Sequence, residues 1–191
     1  MKGIFVQVDA ASILSSAFVK NSTYSMEGGV QFDIKGKFFP VFEIGYAGAD
    51  KLSNNDVMYF SNALFERIGI DFNLSKPKKD ALPTNNLILG GVRLGMSNFD
   101  YNISNIKITD NYWGGTESPD YSMNTTSKLW FEIVFSVKVE VFKNAYMGWT
   151  VRNKNLLGTE IPNEVFPWFI PGYGINKSTS WGFNYMIGYR F

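Results

Sequence analysis

Acidic and basic side chains in this sequence recur at every second position, inside segments whose intervening residues are apolar. Asp9, Glu27, Asp33, Glu43, Asp71, Glu132 and Glu140 hold such positions. So do Lys35, Arg67, Arg93, Lys138, Arg152, Lys154 and Arg190. Strand side chains alternate between two faces, so this spacing puts seven acids and seven bases on one face. Two chemistries are open to it: carboxylates paired for general acid–base work, or acids neutralised by bases in an ion network. The matching numbers favour the network, because enclosed charges need partners.

The residue types that are missing narrow the chemistry further. Histidine and cysteine are both absent, which removes Ser-His dyads, histidine metal centres, thiolate catalysis, disulfides and cysteine zinc sites. An enzyme would have to work through a lumenal carboxylate such as Glu132 or Glu140. We expect no enzyme, catalytic residue, cofactor or metal site. A net charge of +1 with no polybasic run gives no field for nucleic acid.

Eight alternating segments position these charges. They lie near 3–12, 24–35, 38–48, 63–74, 87–97, 128–142, 145–155 and 180–191. The last is the clearest: Trp181, Phe183, Tyr185, Ile187, Tyr189 and Phe191 share one face, and Gly182, Asn184, Met186, Gly188 and Arg190 the other. A strand of about 9–11 residues can cross a tilted bilayer. No apolar run approaches the roughly 18 residues of a membrane helix. Phe5, Phe65, Trp130 and Val134 fall on the polar face, and Glu66 on the apolar one, where it is expected near a strand end.

Alternation alone fits a soluble barrel turned the other way. Three observations favour a membrane barrel. Gly29, Gly45, Gly69, Gly91, Gly95, Gly148, Gly182 and Gly188 sit mid-strand on the polar face; they would weaken an exposed face but make room inside a narrow lumen. The charges balance. Trp149, Phe32, Phe72, Phe131, Phe135 and their apolar neighbours would overfill so small an interior. The expectation is a single domain over 1–191, all-β: an eight-stranded antiparallel up-and-down transmembrane β-barrel. It would have short periplasmic turns, as at Gly36-Lys37 and Lys143-Asn144, and long extracellular loops at 13–23, 49–62, 98–127 and 156–179. Such a chain would sit in the bilayer of a bacterial outer membrane as a mature form, Met1 replacing a removed signal peptide.

Two loops carry unusual aromatics: Trp113 in 98–127, and Trp168, Phe169 and Tyr173 in 156–179. They read either as a recognition surface for a ligand or protein partner or as a self-packed cap closing the barrel mouth; the cap is preferred. Tyr112-Trp-Gly114, Trp130-x-Glu132, Met147-Gly148-Trp149, Arg152 and Pro167-Trp-Phe-Ile-Pro-Gly-Tyr-Gly174 resemble a Bacteroidetes family of uncharacterised outer-membrane proteins. That resemblance implies the barrel and its location, and no activity. The function expected is structural support or surface recognition by a monomer with a closed, salt-bridged lumen. The alternatives are a channel, an enzyme, and a soluble or periplasmic lipocalin-like barrel carrying a lipid or other apolar ligand.

Overall fold

The computed structural model describes residues 3–12, 23–53, 55–75, 85–110, 115–117, 120–158 and 165–191. Eight strands build the wall: β1 (Gly3–Asp9), β2 (Thr23–Asp33), β3 (Phe38–Leu52), β4 (Met58–Asn73), β5 (Leu87–Ser104), β8 (Tyr121–Phe142), β9 (Ala145–Leu157) and β12 (Thr179–Arg190). Two short hairpins lie between them, β6 (Ile108–Asp110) with β7 (Gly115–Glu117), and β10 (Phe169–Ile170) with β11 (Gly174–Ile175). Each wall strand pairs antiparallel with the next in the chain, and β12 closes on β1. The fold is an up-and-down eight-stranded closed barrel.

Its stagger follows from the pairings. Stepping from Val6 to the partner on each next strand passes Val30, Phe42, Ile68, Leu94, Phe131, Asn155 and Thr179. Val6 also pairs with Tyr189, ten residues beyond Thr179 (189 − 179), so the path returns to β1 ten positions along. Eight strands with that stagger tilt by about 40° and leave a lumen that side chains fill.

The pleat turns the apolar face outward. Phe135 is 48% exposed and Ile187 41%, whereas Glu132 and Arg152 are buried. Along β3 the outward side chains run apolar from Phe38 to Tyr46, and along β5 from Ile88 to Met96; Asp50, and Asn98 with Asp100, follow further up. At roughly 3.3 Å per residue and that tilt, the band is roughly 20–25 Å tall. Phe60 and Met58 remain exposed above it.

Several expectations change. The segment expected as a loop at 49–62 is mostly ladder, since Asp50 pairs with Phe60 and Leu52 with Met58. Likewise β5 runs on to Ser104 and β8 starts at Tyr121. Glu66 therefore lies mid-strand, opposite Ile44 and Met96, rather than near an end. The first tight turn sits one residue earlier than expected, on Lys35 (φ 59°) and Gly36 (φ 71°). Asp33 accepts the Gly36 N–H at 2.6 Å, and glycine holds the left-handed position without strain. Lys35 thus leaves the inner face for this turn, where it is exposed.

The lumen is layered. At the turn end Phe5, Phe39, Leu89 and Tyr146 form an apolar plug. Charged groups fill the middle. At the loop end Tyr59, Phe65, Phe99, Tyr101 and Trp130 pack with Phe169, Ile170 and Tyr173. Glycines admit the large rings: a Cβ on Gly95 would fall inside the Trp130 indole, and one on Gly45 inside the Phe65 ring. Gly95→Ala is therefore expected to lower stability by about 1–3 kcal/mol through overpacking. Gly28→Ala, where the nearest atom to a new Cβ is 3.3 Å away, should cost less. Urea unfolding of both variants checks the ranking.

Candidate functional site

Inner-face positions of six strands converge on one ionic cluster. Arg67 Nη1 lies 2.7 Å from Glu27 Oε2, and Arg67 Nε 2.8 Å from Glu132 Oε1. Arg152 reaches Glu43 at 2.8 Å, Glu132 at 3.1 Å and Glu27 at 3.2 Å. Two guanidiniums thus bridge three carboxylates, all within the barrel wall. Arg93 grips Asp71 with two parallel bonds of 2.7 and 2.8 Å and approaches Glu43 at 3.7 Å. Bidentate forks of this kind are the strongest ion-pair geometry.

Neutral donors and acceptors complete the layer. Lys138 donates to Gln7 at 2.7 Å and to Gln31 at 2.6 Å, and Gln31 in turn donates to Asp71 at 2.6 Å. An amide relay therefore links this ammonium to a carboxylate, each bond polarising the next. Trp130 Nε1 donates to Glu132 at 2.6 Å. Asn184 donates to Asp9 at 2.6 Å and to Glu27 at 3.1 Å, and accepts from Arg152 Nε at 2.8 Å.

Eleven of the twelve charges expected in the network point into the lumen: Asp9, Glu27, Asp33, Glu43, Arg67, Asp71, Arg93, Glu132, Lys138, Arg152 and Arg190. Asp33 and Arg190 pair with each other at 2.8 Å, near the turn end. Asp9 is in the lumen too, but its partners are N–H groups of Ala11, Asn184 and Tyr185. Glu140 is the correction. It sits at the turn rim, in register opposite Tyr146 but beyond the ionic layer, and it accepts from Asn85 and from the Asn144 N–H. With Glu140 and Lys35 outside, six acids face six bases once Lys154 is counted. Gln7, Gln31 and Asn184 joined the network unannounced; their alternate spacing was the only signal.

The loop residues are corrected as well. Trp113 lies outside the described residues. Phe169 and Tyr173 are buried rather than presented at the surface. Trp168 stacks on Tyr59, ring centroids 5.2 Å apart. The hairpin is a cap on the ion cluster: Arg67 donates to Gly172 O at 2.7 Å, and Lys154 to Gly172 O at 2.8 Å and Tyr173 O at 3.2 Å. Tyr59 donates to Phe169 O at 2.8 Å, and Tyr173 to Lys177 O at 2.6 Å. Chemically the arrangement holds charge in place and seals it; the lumenal carboxylates are committed to cations and amide donors.

The family model of a domain of unknown function, DUF6048, matches residues 1–191. The chain belongs to the DUF6048 family. No curated protein matches it. Within this DUF6048 barrel, then, the ion cluster and its cap are the features around which a function has to be read.

Removing one partner of a buried pair leaves the other charge unpaired and costs about 3–5 kcal/mol. Arg93→Met is expected to destabilise the barrel by that amount. Arg93→Met with Asp71→Leu should recover much of the loss, since apolar replacement of a whole pair is often neutral; denaturant titration of singles and double measures the coupling. A second outcome concerns pH. Burial pushes the phenols of Tyr59 and Tyr173 above their ordinary value of 10. The folded cap thus holds these protons more tightly than the unfolded chain, so its stability is full below pH 10 and falls as pH rises through the raised values. Protease cleavage within 165–178, assayed from pH 8 to 11, should rise above pH 10, and Tyr59→Phe with Tyr173→Phe should flatten that rise.

Proposed function

We propose that this chain is an outer-membrane β-barrel of structural or surface role, non-enzymatic and without an open pore. The observation that carries the reading is the inversion of its two faces: an apolar band on the outside, paired charges within. In water such a band would be an exposed apolar surface many times the few hundred Å² that soluble monomers tolerate. Against hydrocarbon it is buried, at roughly 25 cal/mol per Å². The band height agrees with the roughly 25 Å apolar belt of outer-membrane barrels.

Aromatics line both margins, as membrane interfaces favour. Tyr24 and Tyr46 contact each other on the loop side, centroids 6.2 Å apart. Phe38 with Phe72, and Tyr189 with Phe191, do so on the turn side at 5.8 and 4.9 Å. The two described tight turns would then face the periplasm and the longer connections the exterior. Three features speak for a non-enzymatic role without conduction: no histidine, carboxylates already engaged, and plugs at both ends of the lumen. The same packed, charged interior speaks against a soluble barrel that carries an apolar ligand inside, which needs an apolar cavity. The partners of this reading are the bilayer itself and whatever meets the loop end.

Exported and isolated, the protein should fractionate with membranes, resist extraction by urea, and run faster on electrophoresis before boiling than after it. It should show no conductance in planar bilayers. A monodisperse, folded protein in detergent-free buffer would overturn the membrane reading in favour of the soluble barrel.

A further inference from the structure

One lateral face of the barrel breaks the polarity of the rest twice, in opposite senses. The first break lies inside the apolar band. Glu66 is exposed on the outer face of β4, opposite Ile44 on β3 and Met96 on β5. Leu64 and Ile68 flank it along its own strand, 58% and 63% exposed. Leu64 pairs with Tyr46, which ends the band on β3. At about 3.3 Å per residue and a tilt of about 40°, Glu66 stands roughly 5 Å below that margin. A carboxylate on a lipid face costs free energy, and intramembrane charges are generally held by a partner.

The second break lies above the band, where an outer face in water should be polar. Outward beyond Asn62 come Phe60 and Met58, 48% and 49% exposed. Leu52 pairs with Met58 across the ladder and is 68% exposed. By the same spacing Phe60 stands roughly 10 Å above the margin and Met58 roughly 15 Å. Exposed acids lie beside them: Asp50 pairs with Phe60, and Asp100 with Asn62. One column of β4 thus carries an acid where hydrocarbon is expected and apolar side chains where water is.

We propose that this face docks a second membrane-spanning protein, different from this chain, which presents an arginine or lysine to Glu66 and apolar side chains to Phe60, Met58 and Leu52. A single neighbour that runs from bilayer into water beside β4 satisfies both breaks. Lipid alone leaves Glu66 in hydrocarbon, and water alone leaves Phe60 exposed. Charge selects the kind of neighbour. Among the described residues the outer positions of the band hold no lysine or arginine. A second copy would therefore bring Glu66 an apolar surface or, in a two-fold contact, another Glu66. A long basic side chain instead lays its stem along apolar neighbours and carries its charge to the carboxylate. Asp50 and Asp100 favour the same sign on the partner above the membrane. This inference rests on the membrane reading above and names a partner for that barrel.

The test places the photoreactive residue p-benzoylphenylalanine at Phe60, Ile68 or Ile187 of the full chain, in the cells that make it. Ile187 lies on β12, across the barrel from β4. Irradiation should join the Phe60 and Ile68 probes to the same membrane protein, and the Ile187 probe to none of it. Glu66→Lys should cut that adduct about tenfold or more, because like charges then meet. Glu66→Gln, which removes the charge without reversing it, should cut it less. Both variants should keep the electrophoretic shift on boiling, since Glu66 faces away from the lumen. With the partner identified from the adduct, replacing its basic residue at this depth by glutamate should restore the yield of Glu66→Lys. An adduct with a second copy of this chain, one with lipid only, equal capture from Ile187, a yield unchanged by Glu66→Lys, or no adduct would each overturn the proposal. Any of these in a chain that fractionates with membranes sinks the docking face alone; a chain soluble without detergent sinks the membrane reading.

Discussion

The enclosed cluster of Arg67 and Arg152 with Glu27, Glu43 and Glu132 is the constraint around which this barrel is built. Charges removed from water demand partners at hydrogen-bond distance, and each guanidinium here meets all three glutamates within 3.5 Å. Once the charges face inward, the pleat forces every alternate residue outward, and within the band those positions are mostly Phe, Ile, Leu, Val and Trp, with Glu66 the charged exception. The apolar exterior is thus the other side of the ionic interior. The glycines follow from the same demand. A Cβ on Gly91 would collide with the Asp71 carboxylate, and one on Gly69 with the Arg93 side chain; the pair has space only because those positions are bare.

Sealing the cluster is a separate problem, solved differently at the two ends. At the turn end, rings do it: Phe5 packs edge-on against Tyr146 at 5.1 Å, and Lys138 and Arg190 sit over the Phe5 face at 5.2 and 5.3 Å. These cation–π contacts join the plug to the charges above it. At the loop end the seal is a folded-back hairpin, pinned by Arg67 and Lys154 through the carbonyls of Gly172 and Tyr173. Trp130 belongs to both tiers, edge-on to Tyr173 at 5.8 Å and bonded to Glu132. Cap and cluster therefore stand or fall as one unit, with Phe169 and Tyr173 buried between them and Trp168 packed against Tyr59.

The period-two pattern made the wall and its inner face legible, because lipid-like and charged positions alternate cleanly in β2, β3, β9 and β12. The alternation loses contrast where outward residues turn polar. Asp50, Asn62, Asn98 and Asp100 alternate with small or aromatic inner residues, so the pattern stops short of the true ends of β3 and β5 and of the true start of β4. Glu140 shows a second limit: it keeps the inner-face register, opposite Tyr146, but stands beyond the ionic layer at the turn rim, and spacing alone does not give depth. The cap was out of reach for a third reason. Its contacts with Tyr59, Arg67 and Trp130 join residues far apart in the chain, and local pattern carries no record of such distances. The early end of β1 belongs to the same class, since Ala10, Ala11 and Ser12 neither sustain nor break an alternation.

Among the described residues β1 ends at Asp9, where side chains as well as ladder bonds join it to its neighbours. Asp9 takes the Tyr185 N–H at 3.1 Å. Asn184, one residue away, ties that same Asp9 on β1 to Glu27 on β2 and Arg152 on β9. Four strands are thus held by one amide within the ionic layer. A barrel with an apolar interior has no such device, because apolar contacts are not directional. The charged layer inside the barrel therefore also joins the wall strands to one another beyond their ladder bonds.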